Sequence, residues 1–417
     1  MKTPTTRRAI TAAAVASLAF SAACGGGGFE EGNEGGDPSA AEGPTELRML
    51  IASSGDAETN RVNEVVDAWE QQTDSTVEVI NAADINAELQ KSFASPEPFD
   101  VMYVDVGRFA TYAEQGALYP YGSSYPDLDD VSPTLQEAFT YEDEVYCVPK
   151  DFSTLGLVIN ETMWKEAGLT EADVPATWEE LAAVADQLTE GDRVGLSMSA
   201  EQARVGAFML GAGGWFVNED GTEATVDSPE NAEALGFVKQ MLEDGSAAWS
   251  ADLDSSWGGE AFGTGRAAMT IEGNWVKGAL AADFGDVEYS VAEIPEGPAG
   301  PGTMLFANCW GVSAKSDSQE QAVELITALT KPEVQLENAE AFGVMPSRTS
   351  VLEEYAELYP EDQAFVAGGD YARPPVSLPG FTDVLDDFNS QLGGLASTDP
   401  AEILSQTQEN AAAALGQ

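Results

Sequence analysis

Short apolar runs alternate with amphipathic helical stretches from about residue 45 to the end of the chain, and this alternation limits what the chain can fold into. A run too short for a buried helix reads as a strand covered on both faces, and a helix with one apolar stripe reads as part of that cover. Repeated in order, the two give α/β layers with mainly parallel strands. Residues 46–53 (ELRMLIAS), 76–80 (TVEVI) and 99–104 (FDVMYV) read as strands. A helix over 58–72 places Val62, Val65, Val66 and Trp69 on one face, and another begins at Thr111 and stops at Gly116, a C-terminal cap. From Val145 the pattern restarts, with strand character at Val148 and again over 155–159, and helices after Thr162 and over 177–188. Thr177-Trp178-Glu179-Glu180 spells a capping box. A strand over 195–198, a helix over 201–210 and the segments 261–271, 303–312 and 319–330 complete the alternation. No internal repeat or linker divides the chain after residue 45.

Composition narrows the function. The 417 residues are 43% hydrophobic, enough to bury real cores in two or three domains. Against 72 Asp and Glu stand only 18 Lys and Arg, a net charge of −54. Such a field repels nucleic acid and anionic lipid, so neither is expected as a partner. The acids are spread along the chain and read as a hydrated surface. That points to a salt-loving source, with an ordinary acidic secreted protein as the alternative. There is no His, which removes the Ser-His-Asp and Cys-His nucleophiles and the commonest transition-metal ligand. No metal or cofactor is expected. Chemistry by carboxylates alone, such as glycoside hydrolysis, stays open.

The first residues read as an address. Lys2, Arg7 and Arg8 precede a short Ala-rich run, Ala9 to Ala23, too short for a permanent span of about 20 residues. The run closes on Ser21-Ala22-Ala23-Cys24 before four glycines. It resembles a bacterial lipoprotein signal, although Ser21 stands where an aliphatic residue is usual. The resemblance implies a signal peptide over 1–23, a lipid on Cys24 and a flexible tether over 24–44. Ordinary signal cleavage nearby is the alternative. Thr6-Arg7-Arg8 leaves export by the Sec or the twin-arginine route open.

Four later segments, in order, resemble the extracellular solute-binding family that includes maltose-binding protein. They are PFDVMYVDVGRFATYAEQGALYPY from Pro98, YCVPKDFSTLGLVINETMWKEAGL from Tyr146, AFGTGRAAMTIEGNW from Ala261 and FGVMPSRTSV from Phe342. The resemblance implies an α/β protein of two lobes, a type II periplasmic-binding-protein fold with hinge strands between them. The first lobe would take 45–148 and 311–344, the second 149–310 and 345–417. A carbohydrate, within that class an oligosaccharide, would bind between the lobes, and hinge closure would present it to the membrane subunits of an ABC importer. The protein would act as a monomer on the outer face of the cytoplasmic membrane, binding rather than catalysing.

Carboxylates that accept hydroxyl hydrogen bonds and aromatics that stack on sugar rings are the expected contacts. On the first cleft loops these are Ser54, Asp56, Asp105 and Arg108; at the crossing, Asp151; in the second lobe, Glu201, Trp215 and Trp257. The Gly273-Asn274-Trp275 turn would set a flat indole beside backbone that approaches ligand closely, with Met345, Arg348 and Arg373 late in the chain. Each has a plainer reading: helix caps for the Asp residues, core packing for the Trp residues, surface charge for Glu201 and Asp56, salt bridges for the Arg residues. With Cys24 lipidated, Cys147 and Cys309 remain, both on segments that the resemblance makes neighbouring hinge strands. A disulfide between them is expected, two buried thiols being the alternative. The rival functions are the same fold holding a polyamine or another small polar solute, a secreted carboxylate glycosidase, and a structural adhesion lipoprotein.

Overall fold

Four of the six residues of strand β1 (Glu46–Ile51), namely Leu47, Met49, Leu50 and Ile51, are buried, as expected of a strand covered on both faces. The computed structural model describes residues 45–417; the expected signal peptide, lipidated Cys24 and tether fall on residues 1–44, outside them. Strand β1 pairs in parallel with β2 (Thr76–Asn81) and β3 (Val101–Asp105). Parallel neighbours need crossovers, supplied here by helices Asp56–Glu70 and Ile85–Ala94. A small hairpin follows, β4 (Thr140–Tyr141) with β5 (Glu144–Val145). Then comes the longest strand, β6 (Val148–Asn160), ahead of β7 (Val194–Met198), β8 (Ala247–Trp249), β9 (Ala267–Gly273), β10 (Tyr289–Ala292) and β11 (Leu305–Val312).

Strand order in the large sheet is β2-β1-β3-β11-β6-β9-β7-β8, with β10 also on β6. The first part of β6 pairs antiparallel with β11; its later part pairs with β9 and β10. One strand therefore belongs to both halves of the sheet. Two large cores lie on either side of this passage. One gathers β1, β3 and the helices around Val66, Phe109 and Leu325; the other gathers Leu157, Leu196, Phe208 and Met269. The result is an α/β molecule of two lobes joined by shared strands.

Three details depart from the sequence reading. The helix expected from Thr111 begins at Val106, because Asp105 caps it by accepting the Gly107 N–H at 3.0 Å. The separate strand signals at Val148 and 155–159 are one strand: Lys150 and Asp151 interrupt the apolar run at a bulge, where the register with β11 shifts by one residue, and they pair with one another there. The segment after residue 345 is divided. Met345, Tyr355, Phe365 and Ala372 pack in the first core, whereas Val376, Phe388 and Ala411 pack in the second. Main-chain bridges Phe152–Met345 and Met304–Arg373 carry this late segment past β6 and β11.

Cys147 and Cys309 form a disulfide with Cα atoms 5.6 Å apart, and both are fully buried. Cys309 faces Pro149 in register, so the bond ties β11 to the start of β6 where the lobes join.

Candidate ligand-binding cleft

The hinge strands bring three polar residues abreast. In register, Asn308 on β11 lies opposite Asp105 on β3 and opposite Asp151 on β6. Asp105 stands exposed at the end of β3, yet the protein around it partly desolvates its carboxyl and pushes it up, against the pull of the Gly107 N–H and Arg108. Asp151 is buried beside Lys150, whose ammonium also reaches Glu58 at 3.0 Å. Glu58 accepts from the Ser54 N–H at 2.7 Å, the Ser54 hydroxyl at 2.9 Å and the Tyr103 hydroxyl at 2.9 Å. Burial pushes the Asp151 carboxyl up despite Lys150. Burial also opposes ionisation of Glu58, yet Lys150 and Ser54 together hold that carboxyl low. Ser54 thus serves the network, and Asp56 sits exposed at the start of the same helix.

Between the lobes runs a groove of about 580 Å³. The first lobe lines it with Phe109, Thr134 and Glu137, the second with Trp215, Asn218 and Glu219. Arg373 lies between, its guanidinium 5.0 Å from the centre of the Trp215 ring. No hydrogen bond or ion pair of its side chain occurs among the described residues. Desolvation pushes the guanidinium down, and the charges of Glu219 and Glu137 only partly offset this. A second chamber of about 550 Å³, on the side of Gly214, Ser228 and Glu230, shares Trp215, Asn218, Glu219 and Arg373 with the first. Asp105 adjoins the groove through Gly107, where a side-chain Cβ would meet Pro375 at 3.4 Å. Trp215 is itself buried in the second core beneath Arg373, so the space is bounded by an aromatic–guanidinium pair and carboxylate acceptors, which suits recognition of a polar, hydroxyl-bearing solute.

The Gly273-Asn274-Trp275 turn closes β9. Gly273 is required by its own neighbour: a Cβ there would sit 2.2 Å from the Trp275 ring. The close approach expected of ligand at this glycine is thus made by the indole. Asn274 is committed to structure, donating its amide to the Gly343 carbonyl at 2.9 Å while its backbone N–H meets the Ser153 hydroxyl. Trp275 is partly buried, edge-on to Phe306, and donates its N–H to Glu272 at 3.1 Å. Arg204 pairs with Glu272 at 2.6 Å and with Glu201 at 3.1 Å.

The remaining expected contacts lie elsewhere. Arg348 is buried, and its guanidinium is used up by Thr330, Asp130, Asp127 and Tyr125, so it pins the first lobe together. Met345 is fully buried beside Phe152 at the hinge. Trp257 packs on Gly259 and a small cluster around Phe262. Arg108 borders a separate recess of about 200 Å³ with Gln90, Phe93 and Thr382. Sequence reasoning missed Glu58, Lys150, Arg204 and Glu272. The available signal was a charge set inside an apolar strand or helix, as in TIEG and ARVGAF, since such a charge must find a buried partner.

Known proteins share this architecture. An ABC substrate-binding protein of Listeria monocytogenes in complex with cycloalternan superposes with a TM-score of 0.79 at 24% identity, over 89% of this chain and 99% of that one. The cyclic α-maltosyl-1,6-maltose binding protein of Arthrobacter globiformis gives 0.79 at 22%, over 89% and 99%. A Mycobacterium tuberculosis protein, UgpB in complex with glycerophosphocholine, gives 0.77 at 18%, over 90% and 98%. The family model of bacterial extracellular solute-binding proteins matches residues 64–367, most of both lobes. That match covers well over half of the sequence, and the chain belongs to the bacterial extracellular solute-binding protein family.

Proposed function

We propose that this protein captures an oligosaccharide in the groove between its lobes and, once closed around it, presents it to the membrane subunits of an ABC importer. A lipid on Cys24 would hold it at the outer face of the cytoplasmic membrane, the acidic tether letting a monomer reach its partner. The fold by itself does not choose the ligand, since structures of this architecture hold cycloalternan in one case and glycerophosphocholine in another. The lining is what favours a sugar. Trp215 lines the groove with a small part of its ring, 5% exposed beneath Arg373, and Glu137, Glu219, Asn218 and Arg373 set acceptors and donors beside that aromatic. Two chambers meeting at the Trp215–Arg373 pair suit several linked rings better than one. Asp105 completes the proposed contacts from the first lobe. Glu201 and Trp275 lie outside the lining of both chambers and would join from the second lobe as the lobes close on ligand.

A second reading comes from the same walls. Glu137, Glu219 and Asp220 face the groove, and so many carboxylates would also attract a polyamine. Arg373 in their midst opposes that ligand.

Thermal shift and titration calorimetry against neutral oligosaccharides, monosaccharides and polyamines separate the two. Ligand at about 100 times Kd stabilises by roughly 2.7 kcal/mol, so a true ligand stands out. Trp215→Ala should weaken oligosaccharide binding about tenfold, because it removes the ring that holds Arg373 at the groove wall. A response to polyamines alone would overturn the sugar assignment and retain the fold.

A further inference from the structure

Trp275 is gripped from several sides. Its ring lies on Gly273, Phe306 meets it edge-on with centroids 5.1 Å apart, and the Arg204 guanidinium sits 5.5 Å from its centre. Its N–H ends on Glu272, a carboxylate with no exposed surface at the next-to-last position of β9.

The way Glu272 is used is informative. Arg204 and Trp275 both donate to the same oxygen, Oε2, at 2.6 and 3.1 Å. The other oxygen, Oε1, is buried without a hydrogen-bond partner, and so is the Arg204 Nε. A pair shaped for stability alone would be bidentate, engaging both oxygens. Here one lone N–H and one lone oxygen are left over, and the shared oxygen lies at the indole edge. Burying such a pair is costly, and hydrophobic replacements are often as stable or more so. A buried, incompletely paired couple set at the indole edge fits a role beyond holding the fold together.

We propose that Glu272 and Arg204 are positioning residues for ligand recognition. They fix the indole of Trp275 in the orientation that ligand meets, so that no rotamer freedom is lost on binding. This inference rests on the reading that Trp275 contacts ligand in the cleft. Glu201, held by Arg204 at 3.1 Å, is positioned by the same guanidinium.

The test is a set of variants read by affinity, melting temperature and the indole N–H resonances of the labelled full-length protein. Titrations start with maltotetraose and use the neutral oligosaccharide that binds the wild type best. Glu272→Gln should weaken binding about tenfold. In a Trp275→Phe background, which has no N–H to orient, the same change should shift affinity less than twofold. An equal loss in both backgrounds overturns the proposal. Because Glu272→Gln leaves a buried Arg, a second variant replaces both partners, Glu272→Leu with Arg204→Met. It should regain the wild-type melting temperature while affinity stays low; recovery of both would assign the pair to stability alone. Without ligand, the resonance that vanishes in Trp275→Phe should exchange slowly in the wild type and move in Glu272→Gln. If it does not move, the grip is not there. Should no sugar bind the wild type, the oligosaccharide reading fails, and the resonance still decides whether the pair orients the ring.

Discussion

Lys150 and Asp151 show what a charged pair does inside a strand. They are adjacent on β6 at a bulge, where the register with β11 slips by one residue and the alternation of side chains is lost, and the flexible Lys stem reaches both Asp151 and Glu58. One ammonium serves two buried carboxylates, and the deficit falls on Asp151, whose carboxyl is pushed up by burial while that of Glu58 stays low. The pH dependence follows with opposite signs. Asp151 binds its proton more tightly folded than unfolded, so stability falls as pH rises from its unfolded value, about 3.9, through its raised folded one. Glu58 contributes stability that is complete above about 4.3 and is lost as pH falls through its lowered value. In Asp151→Asn the first effect disappears and the second remains. The variant should therefore gain stability relative to the wild type as pH rises from about 4, measured as urea midpoints across the pH range. A gain that shrinks with rising pH would mean that Lys150 more than compensates for burial.

At the scale of elements, β6 and β11 are the pieces on which both lobes hang, and the disulfide joins them at one end. The loop it closes is long, Cys147 and Cys309 being 162 residues apart, and chain-entropy arguments assign such a link about 4–5 kcal/mol. Cys147→Ala with Cys309→Ala should lower the melting temperature by several degrees, since 1 kcal/mol is worth about 2 °C or less in a chain this large. Ligand affinity should change little, because the bond lies within the first core, away from the groove. A loss of affinity equal to that of a cleft variant would mean that the bond sets the hinge angle. The strands were legible because apolar runs and caps are local: Thr177 and Glu180 exchange the two hydrogen bonds their spacing announced. The cleft was only partly legible. Trp215 and Arg373 could be named from their types, but nothing local reveals that they stack on one another. Arg348 was misleading for the same reason, since its partners Asp127 and Asp130 are more than two hundred residues away in sequence. Glu272 was passed over because an acid at a strand end reads as exposed until the helix carrying Arg204 is known to cover it.

For the molecule as a whole, charge is the dominant feature. Most basic side chains of the described residues already have acidic partners, from Arg48 with Glu78 to Arg348 with Asp127. The surplus behind a net charge of −54 therefore has no cation of its own and repels itself across the surface. Unfolding spreads the same charges farther apart, so at low ionic strength repulsion favours the unfolded chain. Salt removes this penalty in a recognisable way. The Debye length is about 10 Å at 0.1 M and about 3 Å at 1 M, so repulsion between surface neighbours fades within that range. The melting temperature should rise by several degrees between about 0.05 and 1 M NaCl, with most of the gain below 1 M. Sucrose, which strengthens burial without screening, gives the comparison. A rise that continues in proportion to NaCl beyond 1 M, and that sucrose reproduces, would reflect exclusion from the surface instead. No rise at all would mean that the acids are spaced widely enough to be tolerated without salt, and the expectation of a salt-loving source would fall. Ligand capture separates from this effect. The groove holds carboxylates of its own, but a neutral sugar carries no charge for the field to act on, so its affinity should stay nearly constant over the salt range that moves the melting temperature. A polyamine would lose affinity steeply over the same range, so the salt series also bears on which ligand the cleft is built for.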